Sequence, residues 1–156
     1  MPGYGVLGPE EGSGLLPWSW ADAHLRAAHD YWLATVGAGG APHVMPVWGV
    51  WDGTVLWFSS ALGSRKARNL ALDPRATATS DVAQEPVVLE GIVECTRDGA
   101  ESATFLHAMN AKYEVAYDED FLDPDVNGTY GLRPLRVFGL VEADFTGSPT
   151  CWERER

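Results

Sequence analysis

The chain has few cysteines and few basic residues. Cys95 and Cys151 are its only cysteines, so we expect no disulfide framework, and a reducing cytoplasm is the predicted compartment. Lysine and arginine total 11 against 22 aspartates and glutamates, which gives a net charge of −11. Because nucleic acids and anionic membranes both attract a broad positive surface, we expect neither as the main partner.

Long hydrophobic runs are also missing. No window approaches about 18 uninterrupted apolar residues, so no membrane span is predicted. The opening residues MPGYGVLGPEEGSG have neither the basic start nor the apolar run of a secretory signal, and we expect a soluble protein. The length of 156 residues fits a single domain. We interpret residues 1–17 as an N-terminal arm and residues 18–156 as that domain.

Short strand signals separated by turns dominate the middle of the chain. Residues 19–32 suit a helix that Ser19 would cap. Further helices are predicted over 64–72 and 99–116, and strands over 31–36, 43–51, 55–60, 75–81, 85–96 and 132–145. Many short strands with a few helices outside them predict a mainly β fold with peripheral helices, built around a small β-barrel.

The strand over 43–51 is apolar on both faces. Its side chains alternate between Val44, Pro46, Trp48 and Val50 on one face and Met45, Val47 and Trp51 on the other. A small antiparallel barrel normally exposes its outer face to water, so apolar residues on both faces require a second covering layer. We interpret that layer as a partner subunit.

Several motifs match a known pattern only in part. GYGVLG at 3–8 has the glycine spacing of a dinucleotide fingerprint, but no strand precedes it. DPDVNG at 123–128 begins like a calcium loop, yet its twelfth position is Pro134 instead of glutamate, which favours a turn. The four histidines lack zinc-site spacing with either cysteine, and no GxSxG motif supplies a nucleophile.

A basic cluster stands out within the acidic chain. Four of the 11 cations lie between residues 65 and 75: Arg65, Lys66, Arg68 and Arg75. If Ser64 caps the helix, Arg65 and Lys66 occupy its first turn, where the free N–H groups are already positive. An anion resolves this conflict, and N–H groups, a hydroxyl, a guanidinium and an ammonium together suit a phosphate.

The surroundings of the cluster favour the same interpretation. Between residues 31 and 80 only Asp52 and Asp73 are acidic. The alternative is that the cations are solvated and pair with acids elsewhere in the chain. Ser59 and Ser60 precede the cluster and could hydrogen-bond a polar ring or a sugar-like chain. Trp48, Trp51 and Trp57 would either wall a flat ligand or belong to the barrel core.

The stretch PHVMPVWGVWDGTVLWFSSALGSRKARNLALDPRATAT, residues 42–79, resembles the central block of the flavin/deazaflavin oxidoreductases with a pyridoxamine-phosphate-oxidase-like split barrel. The resemblance extends over about residues 15–152. The tail VFGLVEADFTGSPTCW is similar to the end of a deazaflavin-type branch that often finishes in Thr-Arg-Trp, with Cys151 in place of the arginine. The resemblance implies a homodimer of FMN-binding-type split barrels with two cofactor sites at the interface.

The resemblance also implies roles for particular residues. Arg65 and Lys66 would bind the cofactor phosphate, with Ser64 and Asn69 as weaker candidates. Ser59 and Ser60 would meet the ribityl chain, and Trp152 would cover the ring. The strand through Met45, Pro46, Val47 and Trp48 would lie along the ring, largely through backbone groups. The family uses FMN in some members and the deazaflavin coenzyme F-420 in others, and the tail favours F-420.

These expectations combine into two functional hypotheses. The first is an oxidoreductase that transfers a hydride between bound F-420 or FMN and a small conjugated substrate, without true pyridoxamine-phosphate oxidase activity. The second is a split barrel that binds a cofactor or a tetrapyrrole without turnover. No catalytic residue is assigned. His43 and Tyr113 are proton-donor candidates only by residue type.

Overall fold

The computed structural model describes residues 3–153. Its helices are α1 (Trp18–Ala27), α2 (Arg65–Leu72) and α3 (Gly99–Tyr113). Its strands are β1 (Asp30–Val36), β2 (Pro42–Trp51), β3 (Leu56–Ala61), β4 (Arg75–Ser80), β5 (Val87–Thr96), β6 (Asn127–Gly139) and β7 (Thr150–Glu153). Three short 3-10 turns lie at Ala38–Gly40, Glu119–Leu122 and Glu142–Asp144. None of the helices in the described range has the length and apolarity needed to cross a bilayer.

The strands form an antiparallel barrel. They lie in the order β3-β2-β1-β4-β5-β6-β7, and an additional pairing of β3 with β6 closes the first six strands on themselves. The seventh strand pairs only with the last residues of β6, from Arg136 to Gly139. The expected mainly β barrel with peripheral helices is therefore confirmed.

Alternate residues of each strand point into the barrel and form its core, as the two-residue period of a strand requires. The largest fully buried side chains of this set are Tyr31, Leu33, Leu56, Phe58, Leu89 and Leu132. Helix α1 contributes Ala21 and Leu25 to this core, and α2 contributes Ala67 and Leu70. Each fully buried large apolar side chain contributes about 1.5–3 kcal/mol to stability.

Helix α3 lies outside the barrel against the outer face of β2. It buries Phe105, Leu106, Met109 and Tyr113 in a second apolar cluster, against which Val50 and Trp57 pack. Trp57 also packs directly against Gly131 of β6: a Cβ at position 131 would lie 3.1 Å from the indole ring, so this position leaves no room for a side chain. Thus α3 covers only part of the apolar outer face that the sequence predicts.

The barrel wall opens between β2 and β3. Pairing of the two strands runs from Trp51–Leu56 to Gly49–Phe58 and stops there. Beyond this pair, β2 continues beside β1, and β3 continues beside β6. Residues 45–48 and 59–61 therefore have edges without a strand partner among the described residues. We call the opening between these two segments the split.

The structure corrects several local predictions. Ser19 does not cap α1, because the helix begins one residue earlier and Pro17 is its N-cap without a side-chain bond. Helix α3 ends at Tyr113, since Glu114 adopts a left-handed conformation (φ 54°). The last predicted strand begins earlier than expected and ends at Gly139, and a 3-10 turn replaces its end.

The N-terminal arm packs along the C-terminal segment. The Leu7 amide donates to the Thr146 carbonyl at 2.9 Å, and the Leu16 amide donates to Thr150 Oγ1 at 2.9 Å. Residues 1 and 2 of the predicted arm and residues 154–156 of the predicted domain lie outside the described residues. Residues 123–126 form the turn expected for DPDVNG, with the Asp125 amide bonded to Asp123 Oδ1.

Candidate functional site

The start of α2 is built by two serines. Ser64 is the N-cap, and its hydroxyl accepts the Ala67 amide at 3.1 Å. The same hydroxyl lies 2.8 Å from the Ser60 hydroxyl at the end of β3. The predicted cap is therefore confirmed, and it places the first turn of α2 directly after the β3 edge of the split.

The four cations of the basic cluster have different surroundings. Arg75 pairs with Asp73 at 2.6 Å, and Arg68 donates to the Gly63 carbonyl. Within residues 3–153, the side chains of Arg65 and Lys66 form neither an ion pair nor a hydrogen bond. Arg75 thus pairs with an acid of the same stretch of chain, whereas Arg65 is exposed and Lys66 half-buried, both without a side-chain partner among these residues.

The electrostatics around this turn favour an anion. Lys66 is half-buried, and this burial lowers the pKa of its ammonium. No acid from the same stretch of chain neutralises it, because Asp73 is held by Arg75 and the Asp52 carboxylate accepts bonds from Thr54, Val55 and Trp57. We call Ser64, Arg65 and Lys66 the phosphate clamp.

The segment of β2 predicted to lie along a ring forms one edge of the split. Met45 and Trp48 are 45% and 40% exposed, Pro46 is exposed, and Val47 points into the core. Val47 therefore presents only its backbone to a ligand. Pro46 and Trp48 continue a larger apolar surface, whose other members are Trp32 and Val44, whereas Met45 lies on the opposite face of β2 with Val47.

The remaining predicted residues fall into two groups. Ser59 is half-buried on β3, and Ser60 is buried with its hydroxyl on Ser64. Asn69 is buried, and its Nδ2 donates to Thr35 Oγ1 at 3.0 Å. That bond ties α2 to β1 and directs the Asn69 amide into the barrel, away from the exposed first turn where a phosphate would lie.

Trp152 does not lie with the other predicted residues of the same chain. It lies on β7 and pairs with Val137 of β6. Ser60 of β3 pairs with Gly128, nine positions earlier on β6. A straight strand covers about 30 Å over that distance. Trp152 packs edge-on against Trp18 at 5.7 Å, and the neighbouring Cys151 accepts the Arg136 Nε–H at 2.9 Å.

The three tryptophans considered as ligand walls have separate positions. Trp51 is buried in the core, and Trp57 packs between α3 and β6. Trp48 remains exposed, stacked on Tyr113 at 4.3 Å with an interplanar angle of 5°. Of these three, only Trp48 has the exposure and position to line the split.

The two proton-donor candidates differ in their hydrogen bonds. The Tyr113 hydroxyl donates to the His29 carbonyl at 2.6 Å and accepts the Gly49 amide at 2.8 Å, and burial raises its pKa to about 12. His43 is half-buried at the start of β2, and its Nδ1 is the one buried side-chain nitrogen or oxygen within 3–153 without a partner. Tyr113 therefore has a structural role.

A groove of about 620 Å³ lies across strands β1, β4, β5 and β6. Its lining is mixed, with Val36 and Ile92 beside the charged residues Arg75, Glu90 and Arg136. Within 3–153 no group of three or more His, Cys, Asp or Glu side chains is arranged to hold a metal ion. The first turn of α2 and the split together are suited to binding an anionic ligand with a flat apolar part.

Sequence reasoning missed two residues at the split. Gly49 marks the point where β2 leaves β3, and Lys112 of α3 donates to the Gly49 carbonyl at 2.7 Å. Burial lowers the pKa of Lys112 to about 8. A lysine in the last turn of a helix is unremarkable in sequence, because favourable interaction with the helix dipole already explains it.

Comparisons with known proteins agree with the architecture. A family model described as pyridoxamine 5'-phosphate oxidase matches residues 21–138. A solved structure described as an F420 reductase shares 26% identity with a TM-score of 0.61, over 74% of this chain and 94% of that one. No curated protein matches the chain significantly.

Two more distant structures share the fold alone. General Stress Protein 26 from Bacillus anthracis has 14% identity and a TM-score of 0.68, over 87% of this chain and 97% of its own. A heme binding protein from Mycobacterium smegmatis has 24% identity and a TM-score of 0.63, over 88% of this chain and 59% of its own.

Proposed function

Because the chain belongs to the pyridoxamine 5'-phosphate oxidase family, we propose that it is an oxidoreductase that binds coenzyme F-420 or FMN at the split. The single observation that carries the proposal is the pair of cations without partners, Arg65 and Lys66, in the first turn of α2. Two such charges at the positive end of a helix are unfavourable unless an anion binds there. The ligand phosphate is that anion.

The clamp fits a phosphate by the chemistry of its donors. Arg65 supplies a planar guanidinium, Lys66 a half-buried ammonium and α2 its free N–H groups. The Ser64 hydroxyl holds the cap, so its contribution to the ligand is to fix the turn. Asn69 contributes in the same way through Thr35.

The split suits the flat part of the same ligand. On the β3 side, residues 45–48 present a backbone edge without a strand partner, together with the apolar side chains of Met45 and Trp48. Ser59 lies on the opposite edge of the split. When bound, F-420 or FMN supplies the hydride chemistry, and the protein supplies position and electrostatics. We propose a small conjugated acceptor as the substrate, reached from the open side of the apolar surface.

We further propose that a second copy covers that surface. Trp32, Val44 and Trp48 are 40–50% exposed and lie on the same face of the paired strands β1 and β2. A partner would remove this apolar area from water and enclose the ring. It also offers a position for Trp152, which the same chain holds far from its own clamp. Both cysteines are free and exposed, consistent with the cytoplasm as the compartment we propose.

Tryptophan-fluorescence titration of the apo-protein with FMN and, in parallel, with F-420 tests the proposal. We expect quenching at micromolar concentration by one of them, because Trp48 lies at the split. The double variant Arg65→Ala/Lys66→Ala should weaken binding at least 100-fold, since a hydrogen bond to a charged group contributes about 1.5–3 kcal/mol. Arg68→Ala, three residues along the same helix, is the matched control and should leave affinity unchanged.

The outcomes separate the functional hypotheses. Binding followed by turnover with reducible acceptors supports the oxidoreductase, and the cofactor that binds identifies the branch. Binding without turnover, or binding of haem alone, supports the non-catalytic cofactor- or tetrapyrrole-binding protein. If the double variant binds as tightly as the wild type, the phosphate clamp is wrong.

A further inference from the structure

The end of α3 contacts β2 at the point where β2 leaves β3. The last pair of β1 with β2 is Asp30–Trp48, and the last pair of β2 with β3 is Gly49–Phe58. The Trp48–Gly49 peptide therefore lies where support from both neighbouring strands ends. A backbone segment with free ladder groups needs other partners to keep one position.

Tyr113 replaces the missing ladder on the β1 side. Its hydroxyl accepts the Gly49 amide at 2.8 Å and donates to the His29 carbonyl at 2.6 Å, so it bridges the two chains just beyond the end of β1. Its ring stacks on Trp48 at 4.3 Å. One side chain thus fixes both the backbone and the indole of this segment.

Lys112 satisfies the other backbone group. Its Nζ donates to the Gly49 carbonyl at 2.7 Å and lies 4.8 Å from the ring centre of Tyr31 and 5.1 Å from that of Tyr113. No larger residue fits at Gly49, because a Cβ there would lie 3.0–3.1 Å from Tyr31, Leu56 and the Trp57 carbonyl. An ammonium held by a carbonyl and two aromatic rings is a strong contact for its size.

We propose that Lys112 and Tyr113 are positioning residues for the split: they hold the Trp48–Gly49 segment so that the ligand meets a preformed edge. This inference rests on the proposed function, since the ligand is the one proposed there. Neither residue needs to touch the ligand. A site whose edge is fixed before binding avoids the cost of ordering it on binding.

The test has one arm without ligand and one with ligand. In the first, amide hydrogen exchange at Gly49 is compared with that at Leu89, a buried β5 residue, as an internal reference. Tyr113→Phe and Lys112→Met should each raise exchange at Gly49 at least 10-fold and leave Leu89 unchanged. His107→Gln, at an exposed position of α3, is the control and should change neither.

The second arm measures FMN and F-420 affinity by fluorescence. Both variants should weaken the Kd about 10-fold, and Lys112→Arg, which keeps a charged donor, should recover most of the loss. In the wild type, affinity should fall between pH 7 and 9 as the Lys112 ammonium loses its charge, and Lys112→Met should show a smaller change, because burial also lowers the pKa of Lys66 in the clamp. The charged or titratable groups near Lys112 are Asp30, Tyr31, Asp81 and Tyr113.

The outcomes are distinct for the inference and for the proposed function. Unchanged exchange at Gly49 in both variants overturns the inference, even if the wild type binds. Faster exchange with unchanged Kd also overturns it, because the segment would then be irrelevant to the ligand. If the wild type binds neither cofactor, the proposed function fails and the positioning role fails with it, whereas the exchange arm still shows whether the contact holds Gly49.

Discussion

The Ser60 and Ser64 hydroxyls lie 2.8 Å apart and join the end of β3 to the start of α2. Ser60 is buried, so its hydroxyl orients Ser64 from inside the barrel, and Ser64 in turn caps the helix through Ala67. The direction in which α2 presents Arg65 and Lys66 is thereby fixed by the barrel wall. Substitutions at these positions separate the fold of the turn from its binding.

Ser64 can be tested with two substitutions of opposite effect. Ser64→Ala should lower the free energy of unfolding by about 1 kcal/mol through loss of the cap. Ser64→Asp should keep the cap and repel a phosphate from the clamp, so stability is retained while affinity falls. Urea unfolding and FMN titration measure the two effects. Equal affinity for wild type and Ser64→Asp would contradict an anion at this turn.

Lys66→Met should weaken ligand binding about 10- to 100-fold, the effect of one charge-assisted hydrogen bond. It should not reduce stability at neutral pH, because burial disfavours the unpaired ammonium and lowers its pKa. Titration and urea unfolding of the same samples check both statements, with Arg68→Met as the control. A stability loss as large as the affinity loss would show that Lys66 is structural.

Asn69→Ala should reduce stability and leave ligand affinity unchanged, the opposite of the effect expected for Lys66→Met. It removes the donor to Thr35 inside the barrel, which costs about 1–3 kcal/mol of stability. Affinity measured well below the denaturation midpoint should remain near that of the wild type. If Asn69→Ala instead loses affinity without losing stability, Asn69 contacts the ligand, as the family resemblance implies.

Lys112 should make stability depend on pH in a defined window. Its pKa is about 8 in the folded protein and 10.5 without the fold, so between these values the unfolded chain binds more protons. Stability relative to Lys112→Met should therefore rise as pH increases from 8 to 10.5. Well below pH 8 the lysine is protonated in both states, so the difference should level off there. Urea unfolding from pH 7 to 10.5 measures the difference. A constant difference would mean that Lys112 is not desolvated.

Val44→Glu should convert the proposed dimer into a monomer. Val44 is 50% exposed in one chain and adjoins Trp32 on the apolar surface. A buried carboxylate without a partner is costly at an interface. Analytical ultracentrifugation should show half the mass of the wild type, with a folded circular dichroism spectrum. Leu72→Glu, at a 71% exposed position of α2, is the control. If the wild type is itself a monomer, the proposal that a second copy covers the apolar surface is wrong.

Local features of the candidate site could be predicted from the sequence. The Ser64 cap, the start of α2 and its end before Pro74 depend on neighbours in the chain, so short-range rules identify them. The strands follow from alternating apolar residues, and the conflict between the α2 dipole and its first-turn cations is visible in the order of the residues. By itself, the sequence determined the barrel class and the helix start at which the clamp is proposed.

Only the tertiary structure decided which residues meet across the barrel. It left the side chains of Arg65 and Lys66 without partners within 3–153, turned Asn69 toward Thr35, and placed Trp152 far along β6 from the clamp. It also opened the wall at Gly49 and brought Lys112 to it. These relationships depend on strand register and on packing between segments that are distant in the chain. Both are set by the free energy of the whole fold, so neither leaves a signal in the local sequence.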